Sequence, residues 1–302
     1  MTNSTVNRTW KNIDWEQAEL YVKRLQLRIV KATQQKKWRL VKRLQYLITH
    51  SFYAKALSIK KVISTQGKHT PGIDGITWKS DAQRFKAIGL LNPNHYSAKP
   101  VKRIYITKFG KKEKRPLGIP CMIDRAMQAL FLLALEPVTE YTSDANSYGF
   151  RKFKSTKDAG EIIFKILCRR TSAQWILEGD IKGCFDNIRH QWLTENIPID
   201  KTILQKFLKS GYMESKQLFP TKSGTAQGGI IFPVLANATL DGLEKMIKAK
   251  YWSNGKGTIA VKYNKHKVHF VRYADDFVVT GDSPGILEEI KSLICLFFRF
   301  FH

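Results

Sequence analysis

The length, composition and charge of the sequence restrict its function before any motif is considered. The chain has 302 residues, 43% of them hydrophobic, which is enough for a buried core and excludes a disordered polypeptide. It carries 51 Lys and Arg against 25 Asp and Glu, and this net charge of +26 favours a polyanionic partner. We expect that partner to be nucleic acid; an anionic membrane surface is the alternative, but no amphipathic segment dominates as an anchor.

Cysteine usage and apolar segments indicate where the protein works. The 4 cysteines include no CxxC pair, so we predict reduced, buried thiols and neither a zinc knuckle nor a disulfide framework. The N-terminus has no apolar signal core, and the longest apolar stretch, residues 126–138, is too short to span a bilayer. The sequence therefore predicts a cytoplasmic protein with no membrane partner.

The first segment is predicted to be helical and basic. Apolar residues recur at helical spacing from Ala18 to Ala32 and again from Leu40 to Ile48. The chain from Lys23 to Arg43 contains nine cations and no acid. A solvated face is the plain alternative, but such a run favours an RNA-contacting surface. The cations are Lys23, Arg24, Arg28, Lys31, Lys36, Lys37, Arg39, Lys42 and Arg43.

A loop, a basic hairpin and a core helix follow. Turn dipeptides predict the loop at residues 67–75. Residues 103–106 and 114–119 read as two strands joined by a turn at 109–112, with the second strand broken at Pro116. The apolar stripe from Ile123 to Val138 predicts a core helix. Beyond Trp175, strands and helices mix without the regular alternation of a parallel sheet.

Three short motifs in the second half carry candidate chemistry. An apolar strand, residues 175–181, delivers Asp180 at its end. A flexible Gln227-Gly228-Gly229 loop precedes an apolar run. Residues 268–281 then read as a β-hairpin whose turn holds Asp275 and Asp276.

Paired acids in a hairpin turn, with a third on a neighbouring strand, suit nucleotide addition. That reaction uses two divalent ions about 4 Å apart, which stabilise the attacking hydroxyl and the leaving pyrophosphate. Mg²⁺ prefers hard oxygen ligands and keeps several waters, so a few carboxylates suffice. Each motif alone is weak, because an Asp pair in a turn is usually a solvated feature and an Asp after a strand is often a helix cap. Here apolar strand residues on both sides tie the Asp pair to a core.

Taken together and in order, the motifs resemble those of reverse transcriptases. Residues 273–276, Tyr-Ala-Asp-Asp, resemble the catalytic box of that family. Residues 180–185 are similar to its first metal-binding motif, and residues 227–231, Gln-Gly-Gly-Ile-Ile, resemble the motif that supports the template and the incoming nucleotide.

A narrower resemblance is to the group II intron reverse transcriptases, also called maturases. It covers residues 10–282 and depends on four longer strings. These strings are residues 70–75 (Thr-Pro-Gly-Ile-Asp-Gly), 115–120 (Arg-Pro-Leu-Gly-Ile-Pro), 147–151 (Ser-Tyr-Gly-Phe-Arg) and 179–187 (Gly-Asp-Ile-Lys-Gly-Cys-Phe-Asp-Asn).

The resemblance implies a fold and an activity. The fold is α+β, the fingers and palm of a right-hand polymerase, with an antiparallel palm sheet and a helical N-terminal extension. We expect the thumb of the family to be absent, because the sequence departs from the family pattern after residue 282. Residues 1–95 would be the basic extension and residues 96–302 an incomplete fingers–palm. The activity is RNA-directed DNA polymerisation linked to intron splicing and mobility. Its implied partners are an RNA template, intron RNA, a DNA primer or target, and deoxynucleotides.

The resemblance also assigns roles to site residues. Asp180 and Asp275 would be the principal ligands of two Mg²⁺ ions, for which Mn²⁺ could substitute. The Ile181 carbonyl would assist them, and Asp276 would be the third carboxylate.

Other residues would bind the nucleotide. Phe185 would be the steric gate that excludes a ribose 2′-hydroxyl, and Gln227 would line the incoming base or sugar. Arg115 is the best triphosphate ligand, with Lys108 and Arg125 as weaker candidates.

Two other readings remain open. Because the family pattern continues beyond residue 282, a non-catalytic RNA-binding splicing remnant is the main alternative. An RNA-directed RNA polymerase shares the palm logic, but Phe185 and Ala274 argue against it. The sequence also departs from the family pattern at Ala226, Phe232 and Val234. We further predict a frameshift or truncation near Cys295, so that the downstream DNA encodes the missing segments in another frame.

Overall fold

A computed structural model describes residues 9–107, 110, 112–225 and 227–299. The chain forms two compact units, each made from two segments. Unit 1 contains Met1–Tyr141 and Thr194–Phe232, and unit 2 contains Thr142–Leu193 and Pro233–His302. The boundary predicted at residue 95 coincides with none of the three positions at which the chain passes between the units, and it stays a prediction.

Unit 1 begins with the basic helices that the sequence predicts. Asp14 caps the first helix by accepting a hydrogen bond from the Gln17 amide at 2.9 Å, and the buried stripe from Ala18 to Ala32 repeats every three or four residues. The second helix buries Val41, Leu44 and Ile48 in the same manner. The unit 1 helices are α1 (Trp15–Gln34), α2 (Trp38–His50), α3 (Phe52–Ile63), α4 (Asp81–Leu90), α5 (Met122–Thr142) and α8 (Lys201–Leu208). The chain passes between the units three times, within α5, within α7 (His190–Asn196) and at the start of α9 (Phe232–Leu240).

The predicted basic hairpin is present in unit 1 and belongs to a larger sheet. Its strands are β1 (Val101–Thr107) and β2 (Lys114–Ile119), and the sheet order β2-β1-β4-β5 adds β4 (Tyr212–Glu214) and β5 (Gln217–Phe219). The predicted break at Pro116 is wrong: β2 runs through Pro116, which lies opposite Tyr105. Since β2 is an edge strand, the missing amide of proline can face away from the sheet.

Unit 2 is built on a three-stranded antiparallel sheet in the order β3-β7-β6. Its strands are β3 (Trp175–Asp180), β6 (His269–Tyr273) and β7 (Asp276–Gly281), and its helices are α6 (Thr156–Leu167), α9 (Phe232–Leu240), α10 (Leu243–Tyr251) and α11 (Pro284–Phe298). One face of the sheet shares a core with α10 and α11, in which Phe270 and Val279 are buried. On the other face, Val271 packs against α6.

The predicted α+β class, the antiparallel sheet and the N-terminal helices are confirmed. Helix α5 is longer than predicted, because it continues five residues beyond Pro137 to Thr142. None of the helices within the described residues combines the length and the apolarity needed to cross a membrane.

Candidate active site

Strands β6 and β7 meet in a two-residue turn that carries the paired acids. Tyr273 and Asp276 face each other across the two strands, and Ala274 and Asp275 form the turn between them. Asp276 is exposed and Asp275 is half-buried. The two acids are thus adjacent at the end of the hairpin, Asp275 in the turn and Asp276 at the start of β7.

The third predicted carboxylate lies beside this turn. Strand β3 pairs with β7 so that Asp180 lies directly opposite Asp276. Just beyond the strand, the Ile181 amide donates a hydrogen bond of 3.1 Å to the Asp275 carbonyl. These pairings bring all three acids to one edge of unit 2. The sequence could not establish that β3 neighbours β7.

The electrostatics of Asp276 reflect this gathering of acids. Partial burial raises the pKa of Asp276 above its ordinary value, and the negative charges of Asp275, Asp180 and Glu178 raise it further. Glu178 lies two residues before Asp180, on the same face of β3, and was not singled out from the sequence. A site where carboxylates repel one another favours a bound cation that removes the repulsion.

The residues present fit divalent metal ions as ligands. Three aspartates from two strand ends provide hard oxygen donors, which suit Mg²⁺ or Mn²⁺. The Ile181 carbonyl accepts a hydrogen bond of 3.2 Å from the Cys184 amide, which leaves one of its lone pairs for another partner. Among the described residues, no three His, Cys, Asp or Glu side chains already converge as a metal-binding group. The strand pairing therefore brings the three aspartates to the same end of the sheet, but among the described residues their side chains do not converge on one point.

Phe185 lies in the turn that follows Asp180. Its half-buried ring packs against the core of unit 2 and meets the ring of Phe150 edge to face, with the centroids 6.1 Å apart. Phe150 is half exposed and has a positive φ of 58°. The pairing of the two rings limits the orientations of Phe185.

The remaining predicted residues belong to unit 1 and are described there by themselves. Arg115 is exposed on β2 opposite Ile106. Gln227 is half-buried, and its carbonyl accepts a hydrogen bond of 2.6 Å from the Gly118 amide. The loop of Gln227 is thereby fixed to the end of the basic hairpin. Lys108 lies outside the described residues.

Arg125 has a different environment from that expected of a phosphate ligand. Its side chain is buried, and its nitrogens donate to the carbonyls of Pro120 at 2.8 Å, Gly67 at 2.8 Å and Thr70 at 2.6 Å. The bonds to Gly67 and Thr70 fix the segment that leads into the Thr-Pro-Gly-Ile-Asp-Gly string, residues 70–75. Each of the three guanidinium nitrogens thus already donates to a backbone carbonyl, which favours a structural role over the predicted contact with a triphosphate.

Sequence reasoning missed the polar side chains buried beneath the turn. Arg272 on β6 is fully buried and donates hydrogen bonds to Asn237, Asp241 and the Ala274 carbonyl, each at 3.0 Å. One signal was present in the sequence. Arg272 interrupts the alternating pattern of β6 on the face that Phe270 assigns to the core.

Paired acids in a hairpin turn, with a third acid on the adjoining strand end, are typical of metal-dependent nucleotidyl-transfer enzymes. Residues 106–299 match the family model described as "Reverse transcriptase (RNA-dependent DNA polymerase)", and residues 10–91 match "N-terminal domain of reverse transcriptase". The chain therefore belongs to the reverse transcriptase family. Members of this family generally use divalent metal ions.

Curated relatives support the narrower resemblance. Protein YkfC of Escherichia coli K12 is 34% identical over 272 residues, which cover 79% of this chain and 70% of that protein. The group II intron-encoded protein LtrA of Lactococcus lactis subsp. cremoris is 37% identical over 211 residues, which cover 67% of this chain and 34% of LtrA. The uncharacterized 91 kDa protein in the cob intron of Schizosaccharomyces pombe is 32% identical, over 70% of this chain and 27% of that protein. The chain thus spans about a third or less of the two intron proteins' length.

Proposed function

We propose that this chain is an RNA-directed DNA polymerase of the group II intron type, which adds deoxynucleotides to a primer 3′-hydroxyl on an RNA template and serves intron splicing and mobility. The observation that carries the proposal is the pairing of Asp180 directly opposite Asp276, with the Asp275 carbonyl bonded to the Ile181 amide. The proposed partners are template and intron RNA, a DNA primer or target, and deoxynucleotides. The proposed location is the cytoplasm.

In this proposal the three aspartates hold two Mg²⁺ ions, or Mn²⁺ in their place. Asp180 and Asp275 are the principal ligands, the Ile181 carbonyl assists them, and Asp276 is the third carboxylate. When bound, the ions polarise the primer hydroxyl and neutralise the leaving pyrophosphate. The neighbouring carboxylates repel the charged form of Asp276 and so help to raise its pKa. A bound cation would relieve this repulsion and favour the charged form, which is consistent with the proposal.

Other side chains select and orient the nucleotide. Phe185, restrained by Phe150, fills the space of a ribose 2′-hydroxyl and favours deoxynucleotides. Arg115 is the proposed triphosphate ligand and Gln227 contacts the base or sugar; Lys108 remains a prediction from sequence. We do not carry Arg125 into the site, because its hydrogen bonds serve backbone carbonyls.

Primer extension tests the proposal. The purified chain is given an RNA template, a DNA primer, deoxynucleotides and Mg²⁺. A variant carrying Asp275→Asn and Asp276→Asn is the control, because the substitutions remove ligand charge and preserve side-chain size. We expect extension by the unmodified chain, its loss in the double variant, and strong preference over ribonucleotides. Absence of extension by a folded, RNA-binding chain would contradict polymerase activity, and equal use of ribonucleotides would contradict the role of Phe185.

A second candidate function, RNA binding without catalysis, is favoured by the surface of α1 and α2. All nine cations between Lys23 and Arg43 are exposed. None of the nine forms an ion pair within the part of the chain that the structure describes. Unpaired surface cations bind phosphates by releasing counterions.

Salt-dependent RNA binding tests this second function. Each phosphate contact on single-stranded RNA adds about 0.7 to the slope of log affinity against log salt concentration. Replacing Lys36, Lys37 and Arg39 with Ala should therefore reduce the slope by about 2 if all three contact phosphates. An unchanged slope and affinity would show that this surface does not bind RNA.

A further inference from the structure

Hydrogen bonds from the two terminal nitrogens of Arg272 lie directly behind the catalytic turn, whereas its Nε has no partner among the described residues. Arg272 is fully buried on β6. One of its terminal nitrogens, Nη1, donates to the side-chain oxygen of Asn237 and to the carbonyl oxygen of Ala274, both at 3.0 Å. The other, Nη2, donates to Asp241 at 3.0 Å. The planar guanidinium thus connects the turn to the side chain of Asn237 in α9 and to that of Asp241, between α9 and α10.

The turn needs such support because Ala274 has an unfavourable backbone conformation. Its φ is +57°, the left-handed region that residues with a Cβ seldom occupy. A positive φ at the first central residue of a two-residue hairpin turn favours glycine. Such a conformation is costly and persists only where the surroundings dictate it.

A second side of the turn is held by Gly149. A Cβ on Gly149 would overlap the Ala274 amide nitrogen and lie 2.8 Å from its Cα, so only glycine permits this close approach. The Gly149 carbonyl accepts a hydrogen bond of 2.6 Å from the Asn237 side chain. Asn237 therefore links Gly149 to Arg272 by hydrogen bonds. Gly149 contacts the backbone of Ala274 closely, and Arg272 donates a hydrogen bond to the Ala274 carbonyl.

The backbone of the same segment extends the sheet at Arg272. The Arg272 amide donates to the Asn146 carbonyl at 2.9 Å, and the Tyr148 amide donates to the Arg272 carbonyl at 2.9 Å. The start of the Ser-Tyr-Gly-Phe-Arg string, residues 147–151, thus pairs with β6 through a single bridge between Ser147 and Arg272. The presence of this string is thereby explained, because its backbone contacts the strand that leads into the turn.

The acid partner of Arg272 is itself fixed. Asp241 accepts hydrogen bonds from the Ser143 hydroxyl at 2.9 Å and from the Asp144 amide at 3.3 Å. A buried ion pair of this kind contributes little net stability compared with apolar packing, because both charges lose their hydration. We therefore attribute the ion pair between Arg272 and Asp241 to a role in fixing the geometry of the turn.

We propose that Arg272 is a positioning residue for polymerisation, and that Arg272, Asn237 and Gly149 form a clamp that sets the conformation of the Ala274–Asp275 turn. The proposal rests on the proposed polymerase function and deepens it. Arg272 and Asn237 are buried beneath the turn. The clamp acts through Ala274 on the directions in which Asp275 and Asp276 leave the turn.

The substitution Arg272→Lys separates positioning from bulk stability. Lysine keeps the positive charge beside Asp241, but its single ammonium lacks the planar fork that reaches Asn237, Asp241 and Ala274 together. The matched control is Thr280→Val in the same hairpin. Thr280 is buried far from the turn, where its hydroxyl donates to the Lys267 carbonyl at 2.7 Å and accepts from the His269 amide at 3.1 Å. A third variant, Asn237→Ala, breaks the clamp at a neutral side chain and leaves the ion pair intact.

Two readouts are measured on each purified variant. Hydrogen–deuterium exchange of peptides covering residues 270–278 reports the turn without metal or substrate. Single-turnover primer extension reports its consequence. We expect faster exchange confined to the turn in Arg272→Lys and Asn237→Ala, and extension about 10–100-fold slower, because displacement of reacting groups by about 1 Å costs this much. Thr280→Val should leave turn exchange and extension unchanged.

The outcomes separate the clamp from the polymerase function. Unchanged exchange at the turn in both clamp variants would overturn the proposal, and so would exchange that rises equally along the whole hairpin. If Arg272→Lys does not fold, the same criteria apply to Asn237→Ala. If the unmodified chain extends no primer, the proposed function fails, and the exchange pattern alone decides whether the clamp exists.

Discussion

Each unit of the chain contains a buried arginine that holds a sequence motif, but the two arginines are held differently. In unit 1, Arg125 donates to the carbonyls of Pro120, Gly67 and Thr70. In unit 2, Arg272 donates to one carbonyl, one amide side chain and one carboxylate. Burial lowers the pKa of both guanidinium groups, and Asp241 opposes this effect at Arg272.

The difference indicates different tasks. Arg125 binds three points of the backbone around one loop, so its loss should loosen that loop. Arg272 fixes one carbonyl in a strained turn and is itself fixed by Asn237 and Asp241, so its loss should alter a geometry. We therefore expect substitutions around Arg125 to act mainly on stability and those around Arg272 to act mainly on turnover.

The largest expected effect on stability comes from Arg125→Met, which preserves much of the side-chain volume and removes every donor. Three carbonyls lose a charged partner, so the free energy of unfolding should fall by about 2–4 kcal/mol. Urea denaturation measures this change, and single-turnover extension per folded molecule should stay constant. A slower rate with unchanged stability would instead restore Arg125 as a nucleotide ligand.

The next prediction compares two glycines at close backbone contacts. Gly149→Ala places a methyl group against Ala274, and extension should slow by about 10–100-fold because the turn is displaced. Gly72→Ala places a methyl group 2.7 Å from the Cys121 backbone in unit 1. This substitution should lower the melting temperature and leave the extension rate per folded molecule unchanged. Equal effects of both substitutions on rate would remove the distinction between the units.

A pH effect is expected from the buried acid next to Arg125. Burial raises the pKa of Asp124 to about 6, while the hydrogen bond of 2.5 Å from the Tyr96 hydroxyl acts in the opposite direction. An acid with a raised pKa in the folded state binds protons there more tightly, so its contribution to stability grows as pH falls from 7 to 5 and is lost as pH rises through 6. The free energy of unfolding should increase by about 1 kcal/mol over that interval, relative to Asp124→Asn. Parallel pH profiles of the two chains would contradict this expectation.

The smallest effect is expected from Ala274→Gly. Glycine adopts a positive φ freely, so relief of strain should raise the free energy of unfolding by up to about 1 kcal/mol. The same freedom should widen the range of turn conformations and lower the extension rate severalfold. Thermal denaturation and primer extension measure the two effects. A faster rate would show that the strained conformation hinders catalysis.

The sequence predicted the elements better than it predicted their neighbours. Helical periodicity identified α1 and α2, and paired apolar runs identified the β6–β7 hairpin, because these signals are local. Pro116 was misread because the sequence does not reveal that β2 is an edge strand. The placement of Asp180 opposite Asp276 depends on a pairing between strands almost one hundred residues apart, and only the family resemblance suggested it.

Residue roles were harder to predict than residue types. Arg125 and Arg272 are both cations in apolar segments, and no periodicity distinguishes a phosphate ligand from a side chain that bonds to backbone carbonyls. Asn237, Asp241 and Gly149 join Arg272 only after folding, so no short motif could identify the clamp. The three aspartates were easier to propose as ligands, because metal chemistry restricts which residue types can serve.

The most direct test compares Arg272→Lys with Arg125→Lys, measuring single-turnover primer extension and melting temperature on the same samples. We predict that Arg272→Lys slows extension by about 10–100-fold with little change in melting temperature, and that Arg125→Lys lowers the melting temperature without slowing extension by folded protein. If both variants slow extension in proportion to their loss of stability, Arg272 is a structural residue like Arg125, and the clamp does not position the catalytic turn.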